Sequence, residues 1–140
     1  MFIAYNRVCL HDCDMAGILY FPRQFRFVHD ALEDLMESEG FSFAHIFLEL
    51  DFLFVIVHAE ADYLVPLKVG DKLEVHVSVE KVGNTSFTLL YTIYKVNHEL
   101  VGTAKTVHVT LKTSTREKIP VPKGFREKFS KYLISNDPNT

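Results

Sequence analysis

A single segment of helical periodicity, set before a series of segments of strand periodicity, constrains the fold of this chain more than any other feature. In residues 22–39 apolar side chains recur at the spacing of one helix face, and charged side chains take most other positions. Pro22 is typical of a first helical turn, and Gly40 is typical of the residue just past a helix end. We therefore predict one long helix with one apolar stripe.

Strand periodicity is clearest in residues 72–80, where apolar and polar side chains alternate and predict one buried and one solvated face. Residues 53–65 are apolar first and alternating later, and Pro66 ends them. The turn Gly83-Asn84 is typical of a link between paired strands. The predicted strands are residues 2–9, 53–65, 72–80, 86–96 and 103–113, with short helices expected within 41–52 and at 124–133.

The order of these segments predicts the α+β class, in which a long central helix lies against an antiparallel sheet of about five strands. With 140 residues the chain fits one domain with one core. We place this domain at residues 1–134 and expect a polar tail at residues 135–140.

Charge and composition exclude several classes of partner. The net charge of -3 gives no overall attraction for nucleic acid or for an anionic membrane. The N-terminus lacks the pattern of a secretory signal, and the longest uncharged apolar run, Phe52–Val57, is far shorter than a membrane span. We therefore expect a cytoplasmic protein with no nucleic-acid or membrane partner, whose cysteines, Cys9 and Cys13, are free thiols.

Ionisable side chains are concentrated directly before the predicted helix, in the stretch HDCDMAGILYFPRQF at residues 11–25. The first N–H groups of a helix have no partner within it and attract negative charge. Asp12 and Asp14, with Gly17 permitting a tight reversal, could face this helix end across one carbonyl group, an arrangement that suggests acyl chemistry. The alternative is that both aspartates only shape the turn, which is the commoner use of aspartate in loops.

A metal site is not expected. Cys9, His11, Cys13 and His29 lack the short paired spacing of metal ligands. His58, Glu60 and Asp62 share one face of a predicted strand, which is either a solvated face or part of a binding site.

The stretch DCDMAGILYFPRQF and the helix behind it resemble the signature of the 4-hydroxybenzoyl-CoA thioesterase family, roughly D-[CT]-D-x-x-G-[IV]-x-[WY]-x-x-[YF]. The resemblance includes a Y-x-x-P-x-x-x-G-D element at residues 63–71 and the strand series, and it covers about residues 2–115. It implies a hotdog fold, in which an antiparallel sheet wraps a long helix. It also implies homodimers or homotetramers with active sites between subunits.

The resemblance implies an enzyme that hydrolyses an acyl-CoA to a carboxylic acid and CoA, without metal or other cofactor. Asp14 would be the catalytic carboxylate, acting as nucleophile or as general base on water. The backbone N–H of Phe21 would polarise the thioester carbonyl. The residues expected to bind substrate are Gly17, Tyr20, His58, Glu60 and Ser86, with His58 and Glu60 reaching the acyl pocket of a neighbouring subunit.

Two other functions fit the same fold. A dehydratase or hydratase of acyl thioesters needs a proton-abstracting group on the helix, for which only His29 and Asp30 are available. A non-catalytic acyl-CoA-binding module is the second alternative.

The acyl group is left open between an aromatic group, such as hydroxybenzoyl or dihydroxynaphthoyl, and a short aliphatic chain. Tyr20, Phe21, Phe25 and Phe27 either line an aromatic pocket or belong to the core. For the CoA phosphates, the turn at residues 83–85 offers no basic side chain. We therefore expect the basic C-terminal segment to meet them through Lys118, Lys123, Arg126, Lys128 and Lys131.

Overall fold

The computed structural model describes residues 1–136, which form a five-stranded antiparallel sheet, one long helix and two shorter helices. Each strand begins and ends within three residues of its predicted position, and the predicted α+β class is confirmed. The strand order β1-β3-β4-β5-β2 leaves β1 and β2 at the edges. The elements are β1 (Phe2–Arg7), α1 (Gln24–Ser38), α2 (Phe43–Glu49), β2 (Phe52–Tyr63), β3 (Lys72–Val82), β4 (Ser86–Lys95), β5 (Leu100–Lys112) and α3 (Lys123–Ser130).

Helix α1 is held on the sheet by one apolar stripe, as its periodicity predicts. Burying each large apolar side chain contributes about 1.5–3 kcal/mol, so packing stabilises this helix more than intrinsic propensity does. Pro22 lies in a 3-10 turn, Phe21–Arg23, directly before α1, whereas the sequence placed it in the first turn of the helix itself. Gly40 has φ +83°, which favours glycine, just past the helix end. The buried stripe consists of Phe27, Val28, Ala31, Leu32, Leu35 and Met36.

Strand β2 is an edge strand with an irregular register. Its pairing with β5 shifts between Ile56 and His58, so Val57 is an extra, bulged residue. Val55, Ile56 and Val57 are 38%, 44% and 59% exposed, although all three are apolar. An exposed apolar edge of this length is a surface on which a further strand can pair.

Strand β5 buries its polar side chains and leaves apolar ones half-exposed. Thr106, His108 and Thr110 are at most 1% exposed and face the helix side of the sheet. The intervening valines, Val107 and Val109, are only partly buried. A strand usually buries its apolar side chains and exposes its polar ones, because a buried polar group needs a hydrogen-bond partner. Strand β5 does the reverse.

The C-terminal segment closes the open end of the core. Phe125 and Phe129 of α3 are buried. The helix α3 begins one residue before the predicted helix at 124–133 and ends three residues before it does. Of the predicted polar tail, residues 137–140 lie outside the described part of the chain. None of the helices within residues 1–136 is long and apolar enough to cross a membrane.

Candidate active site

Residues 12–20 form a tight hairpin in front of α1. Tyr20 donates its N–H to the carbonyl of Asp12 (2.8 Å), and Asp14 donates its N–H to the carbonyl of Ile18 (3.0 Å). The tip turns at Gly17, whose φ of +80° lies in the region that favours glycine. The hairpin therefore fixes where Asp14 lies relative to the helix start.

Asp12 anchors this hairpin from inside the protein. Its side chain is fully buried, and its carboxylate accepts hydrogen bonds from Arg26 Nε (2.7 Å) and from the backbone N–H of Cys9 (2.7 Å). Burial alone would raise the pKa of Asp12, but the hydrogen bonds from Arg26 and Cys9 outweigh burial and lower it. Asp12 therefore has the loop-shaping role, and its charge is already paired within the chain.

Asp14 differs from Asp12 in that its carboxylate is exposed. Oδ1 accepts one hydrogen bond, from the backbone N–H of Ala16 (2.9 Å), and among residues 1–136 no donor contacts Oδ2, which is open to a ligand. The carboxylate lies in an open cleft of about 560 Å³ that is also lined by Tyr20 and Arg23. Of the two aspartates, Asp14 is the one that a substrate can reach.

The start of α1 presents a free amide beside this hairpin. The N–H of Tyr20 is used by Asp12, that of Arg23 is used by Tyr20, and Pro22 has none. Within residues 1–136 the N–H of Phe21 makes no hydrogen bond, as expected for a helix N-terminus. The exposed carboxylate of Asp14 and the unpaired N–H of Phe21 are thus joined by one short segment, which the hairpin holds in place.

Two side chains whose contacts were not predicted from the sequence, Tyr63 and Gln24, hold the helix start against the sheet. Tyr63 donates its hydroxyl hydrogen to the carbonyl of Phe21 (2.8 Å). Gln24 is 1% exposed, and its amide Nε2 donates to the carbonyls of Asp62 (3.1 Å) and Thr103 (3.0 Å). A buried glutamine in the first turn of an otherwise apolar helix face was the signal that could have revealed this contact.

Comparison with known protein families bears directly on this geometry. The model of the thioesterase-like superfamily matches residues 8–129, which is most of the chain. The chain belongs to the thioesterase-like superfamily. A 1,4-dihydroxy-2-naphthoyl-CoA hydrolase of Prochlorococcus marinus (strain NATL1A) is 35% identical over 119 residues, which cover 80% of this chain and 79% of the relative. The protein of the same name from Nostoc punctiforme is 35% identical over 123 residues, covering 87% and 82%.

The similarity to thioesterases extends to three dimensions. The crystal structure of a 1,4-dihydroxy-2-naphthoyl-CoA thioesterase from Synechocystis superposes with a TM-score of 0.86 at 30% identity. The match covers 92% of this chain and 95% of that chain. The predicted hotdog fold and the predicted class of reaction, acyl-CoA thioester hydrolysis, are confirmed. The predicted resemblance to the 4-hydroxybenzoyl-CoA thioesterase family is confirmed at the level of the thioesterase-like superfamily. The relatives above are named for 1,4-dihydroxy-2-naphthoyl-CoA and not for 4-hydroxybenzoyl-CoA.

Three of the predicted substrate-binding residues, His58, Glu60 and Ser86, do not line the cleft that contains Asp14. His58 and Glu60 are exposed neighbours on β2, with Nε2 and Oε1 3.3 Å apart. Ser86 begins β4, at the opposite end of that strand from the hairpin side of the sheet. Tyr20 does share the cleft with Asp14. A role for His58, Glu60 or Ser86 beside Asp14 would require a second chain and stays a prediction.

The four aromatic residues at the helix entry, which were expected either in an aromatic pocket or in the core, differ in their exposure. Phe27 is fully buried in the core, whereas Tyr20 and Phe21 are 49% and 62% exposed. Phe25 is half-buried and lines a cavity between α1 and the sheet. Phe27 therefore belongs to the core, and a role for Tyr20, Phe21 or Phe25 in an aromatic substrate pocket stays a prediction.

Most of the basic C-terminal side chains have partners within the protein. Arg126 donates to the carbonyls of Val82 (3.3 Å) and Gly83 (2.5 Å). Lys131 pairs with the carboxylate of Glu39 (2.7 Å), and Lys128 donates to the carbonyl of the same residue. These contacts tie α3 to the end of α1 and to the β3–β4 turn. The geometry therefore does not support the expectation that this segment meets the CoA phosphates.

Two of the four residues considered for a metal site, Cys9 and His11, form a group with Asp12, which was not among them. Cys9, His11 and Asp12 lie close together, but Arg26 binds the Asp12 carboxylate and approaches Cys9 Sγ (3.9 Å). A guanidinium in this position opposes a second cation.

We expect Gly102→Ala to disturb the helix start and to lower turnover about tenfold. A Cβ at Gly102 would lie 2.8 Å from both amide atoms of Gln24, so the buried amide would have to leave its two carbonyl partners. Displacement of a catalytic group by a fraction of an ångström is costly because the reacting atoms must be aligned. Turnover and the thermal midpoint should be measured beside Gly124→Ala, where the added Cβ would come no closer than 3.9 Å to any of its neighbours. Equal turnover in the two variants would contradict this prediction.

Proposed function

We propose that this protein hydrolyses an aromatic acyl-CoA thioester, with 1,4-dihydroxy-2-naphthoyl-CoA as the favoured substrate. The observation that carries the proposal is the exposed carboxylate of Asp14, held by a hairpin beside the unpaired N–H of Phe21. The superfamily match and the names of the two relatives above support the thioester chemistry and the aromatic acyl group.

In the proposed reaction the thioester carbonyl oxygen accepts the N–H of Phe21, where the helix dipole also favours developing negative charge. Asp14 then either attacks the carbonyl carbon or takes a proton from a water that attacks it. The C–S bond breaks, and the thiolate of CoA leaves and is protonated. On the first route the acyl group is then bound to Asp14 as an anhydride, which water hydrolyses to the free carboxylate and the restored Asp14. On the second route the attacking water supplies the second oxygen of the released carboxylate. Both routes use the carboxylate form of Asp14, whose side chain is exposed to solvent.

The active unit in this proposal is a homodimer formed through β2, either alone or within a tetramer. The exposed apolar residues Val55–Val57 and the unpaired edge of β2 favour pairing with the same strand of a second copy about a two-fold axis. Such pairing would extend the sheet and would carry the partner subunit's His58 and Glu60 across the edge. The cytoplasmic location predicted from the sequence belongs to the same proposal.

A dehydratase is a weaker candidate because one of its two possible bases is occupied. Asp30 accepts hydrogen bonds from Asn6 Nδ2 (2.8 Å) and from Arg26 (3.0 Å), so it is paired within the chain.

The proposal predicts release of free CoA thiol from a panel of acyl-CoA substrates, followed with a colorimetric thiol reagent. We expect kcat/KM for 1,4-dihydroxy-2-naphthoyl-CoA to exceed that for butyryl-CoA by at least about 100-fold, since the apolar ring adds buried area. Consumption of a 3-hydroxyacyl-CoA without thiol release would instead indicate a dehydratase. Binding of acyl-CoA without any turnover would indicate a binding module, and either result would overturn the proposal.

A further inference from the structure

A cavity of about 210 Å³ lies between α1 and the inner face of the sheet. Its opening is formed by half-buried or exposed residues of α1 and β2, among them Phe25, His29 and Ala59. Its apolar lining suits a ring, since an apolar cavity of roughly 150 Å³ already accepts benzene. The floor of the cavity is different in character, because it is formed by Tyr91, Thr106 and His108.

These three floor residues form a buried chain of hydrogen bonds. The hydroxyl of Tyr91 is 3.1 Å from Thr106 Oγ1, and Thr106 Oγ1 is 2.8 Å from His108 Nε2. All three side chains are at most 1% exposed. The other imidazole nitrogen, His108 Nδ1, is buried and has no hydrogen-bond partner among the residues that the structure describes. A buried polar atom without a partner is costly, so its presence beside a cavity requires an explanation.

The protons available to Tyr91, Thr106 and His108 determine whether Nδ1 of His108 is a hydrogen-bond donor or an acceptor. The Tyr91 hydroxyl has Thr106 Oγ1 as its partner, so its proton is used only if Tyr91 donates to Thr106. If Thr106 then donates its own proton to Nε2 of His108, both hydroxyl protons are used and the neutral imidazole carries its hydrogen on Nδ1. If Nε2–H donated to Thr106 instead, the Thr106 proton and the Nδ1 lone pair would both lack a partner. The reverse direction would leave both the Tyr91 proton and the Nδ1 lone pair unsatisfied. The geometry therefore favours an Nδ1–H donor.

The imidazole is held neutral and rigid. Burial, helped by the charge on His29, lowers the pKa of His108 to about 4, so the ring stays uncharged near neutral pH. Its face stacks on Phe87, with ring centroids 4.7 Å apart and planes 4° from parallel. A neutral donor in an apolar cavity suits a neutral oxygen acceptor, such as a phenolic hydroxyl, better than it suits an anion.

The cavity is placed to receive a ring attached to a carbonyl at the helix start. Phe25, at its opening, lies in the first turn of α1, four residues after Phe21 in the preceding 3-10 turn. On β2, Ala59 lines the cavity while Tyr63 contacts the carbonyl of Phe21. A ring that extends from the Phe21 amide along the space between α1 and β2 would therefore approach His108.

We propose that this cavity binds the aromatic ring of the acyl group and that His108 Nδ1–H donates a hydrogen bond to a ring hydroxyl remote from the thioester. This inference rests on the proposed function and extends it, because it assigns the selection of hydroxylated rings to the chain Tyr91–Thr106–His108. An acyl group without that hydroxyl leaves the buried donor unpaired.

The kinetic test compares two substrates that differ by one hydroxyl, 1,4-dihydroxy-2-naphthoyl-CoA and 1-hydroxy-2-naphthoyl-CoA. We expect the protein to prefer the first by roughly ten- to hundredfold in kcat/KM, the range that one buried hydrogen bond supplies. In His108→Phe the ratio should fall towards one. His76→Phe makes the same change on the outer face of the sheet and should keep the ratio of the unaltered protein. A folded His108→Phe variant that keeps the preference would overturn the assignment.

A second measurement needs neither turnover nor a variant. Nitrogen-15 spectra of the histidine rings should show His108 as the Nδ1–H tautomer, and its Nδ1 signal should shift with 1,4-dihydroxy-2-naphthoate but much less with 1-hydroxy-2-naphthoate. An Nε2–H tautomer, or equal responses to the two acids, would refute the inference. If no CoA thioester is hydrolysed while the Nδ1 response is present, the proposed function fails and the binding site stands.

Discussion

Asp14→Asn is expected to lower kcat by at least about 100-fold while leaving the fold unchanged. The amide can neither attack a thioester nor take a proton from water, so the chemical step loses its catalytic group. The hairpin should survive, because the asparagine carbonyl oxygen can accept the same N–H of Ala16 that Asp14 Oδ1 accepts at 2.9 Å. The variant therefore separates chemistry from structure.

The measurement is steady-state thiol release, with circular dichroism and size-exclusion chromatography to verify folding and assembly. Asp34→Asn is the matched control, since it makes the same change at an exposed position on α1 and should keep full turnover. A folded Asp14→Asn protein with near-normal kcat would remove Asp14 from the mechanism.

Asp12→Asn is expected to have its main effect on stability, lowering the free energy of unfolding by about 3 kcal/mol. Asp12 is fully buried, and asparagine cannot supply two anionic oxygens to Arg26 while also accepting from the N–H of Cys9. Breaking a buried ion pair leaves a charge poorly compensated, and such losses are about 3–5 kcal/mol for deeply buried pairs. Arg26 keeps its contact with Asp30, which places the expected loss at the lower end.

Urea unfolding provides the test, with Asp30→Asn as the control that breaks the more exposed half of the same network. The control should lose less than about 1 kcal/mol, because surface pairs contribute little. Equal losses in the two variants would contradict the anchoring role of Asp12. In the fraction that folds, Asp12→Asn should also lose less turnover than Asp14→Asn, and the opposite order would transfer the catalytic assignment to Asp12.

The sequence predicted the elements of this fold well because their periodicity is local. The stripe of α1 and the alternation of β3 each report burial on one face, and each was placed to within a few residues. The bulge at Val57 was not predictable in the same way, because an extra residue in β2 is defined only by its register with β5.

The candidate site was predicted as far as it lies on one continuous segment. Asp14 and Phe21 are seven residues apart, and the hairpin of residues 12–20 fixes their relation. Gln24, Tyr63 and Gly102 were missed because their contacts join distant parts of the chain.

The burial of the polar residues Thr106 and His108 on β5 was not predicted, for a different reason. Alternating threonine, histidine and valine residues do not indicate which set faces inwards, and hydrophobicity alone favours the valines. The structure buries Thr106 and His108 instead, and such a local conflict with the expected pattern is typical of functional sites.

The proposed catalytic residues and the proposed ring-binding residues lie on different elements, and this affects how the substrate of such a protein can change in evolution. In the proposed mechanism the reactive groups belong to the hairpin and to the 3-10 turn before α1, whereas the floor of the proposed ring cavity belongs to β4 and β5. If the proposed ring site is correct, substitutions at Tyr91, Thr106 or His108 alter which acyl group is accepted without moving Asp14 or the amide of Phe21. Selection for a new substrate can act on one set of positions while the hydrolytic machinery is inherited intact.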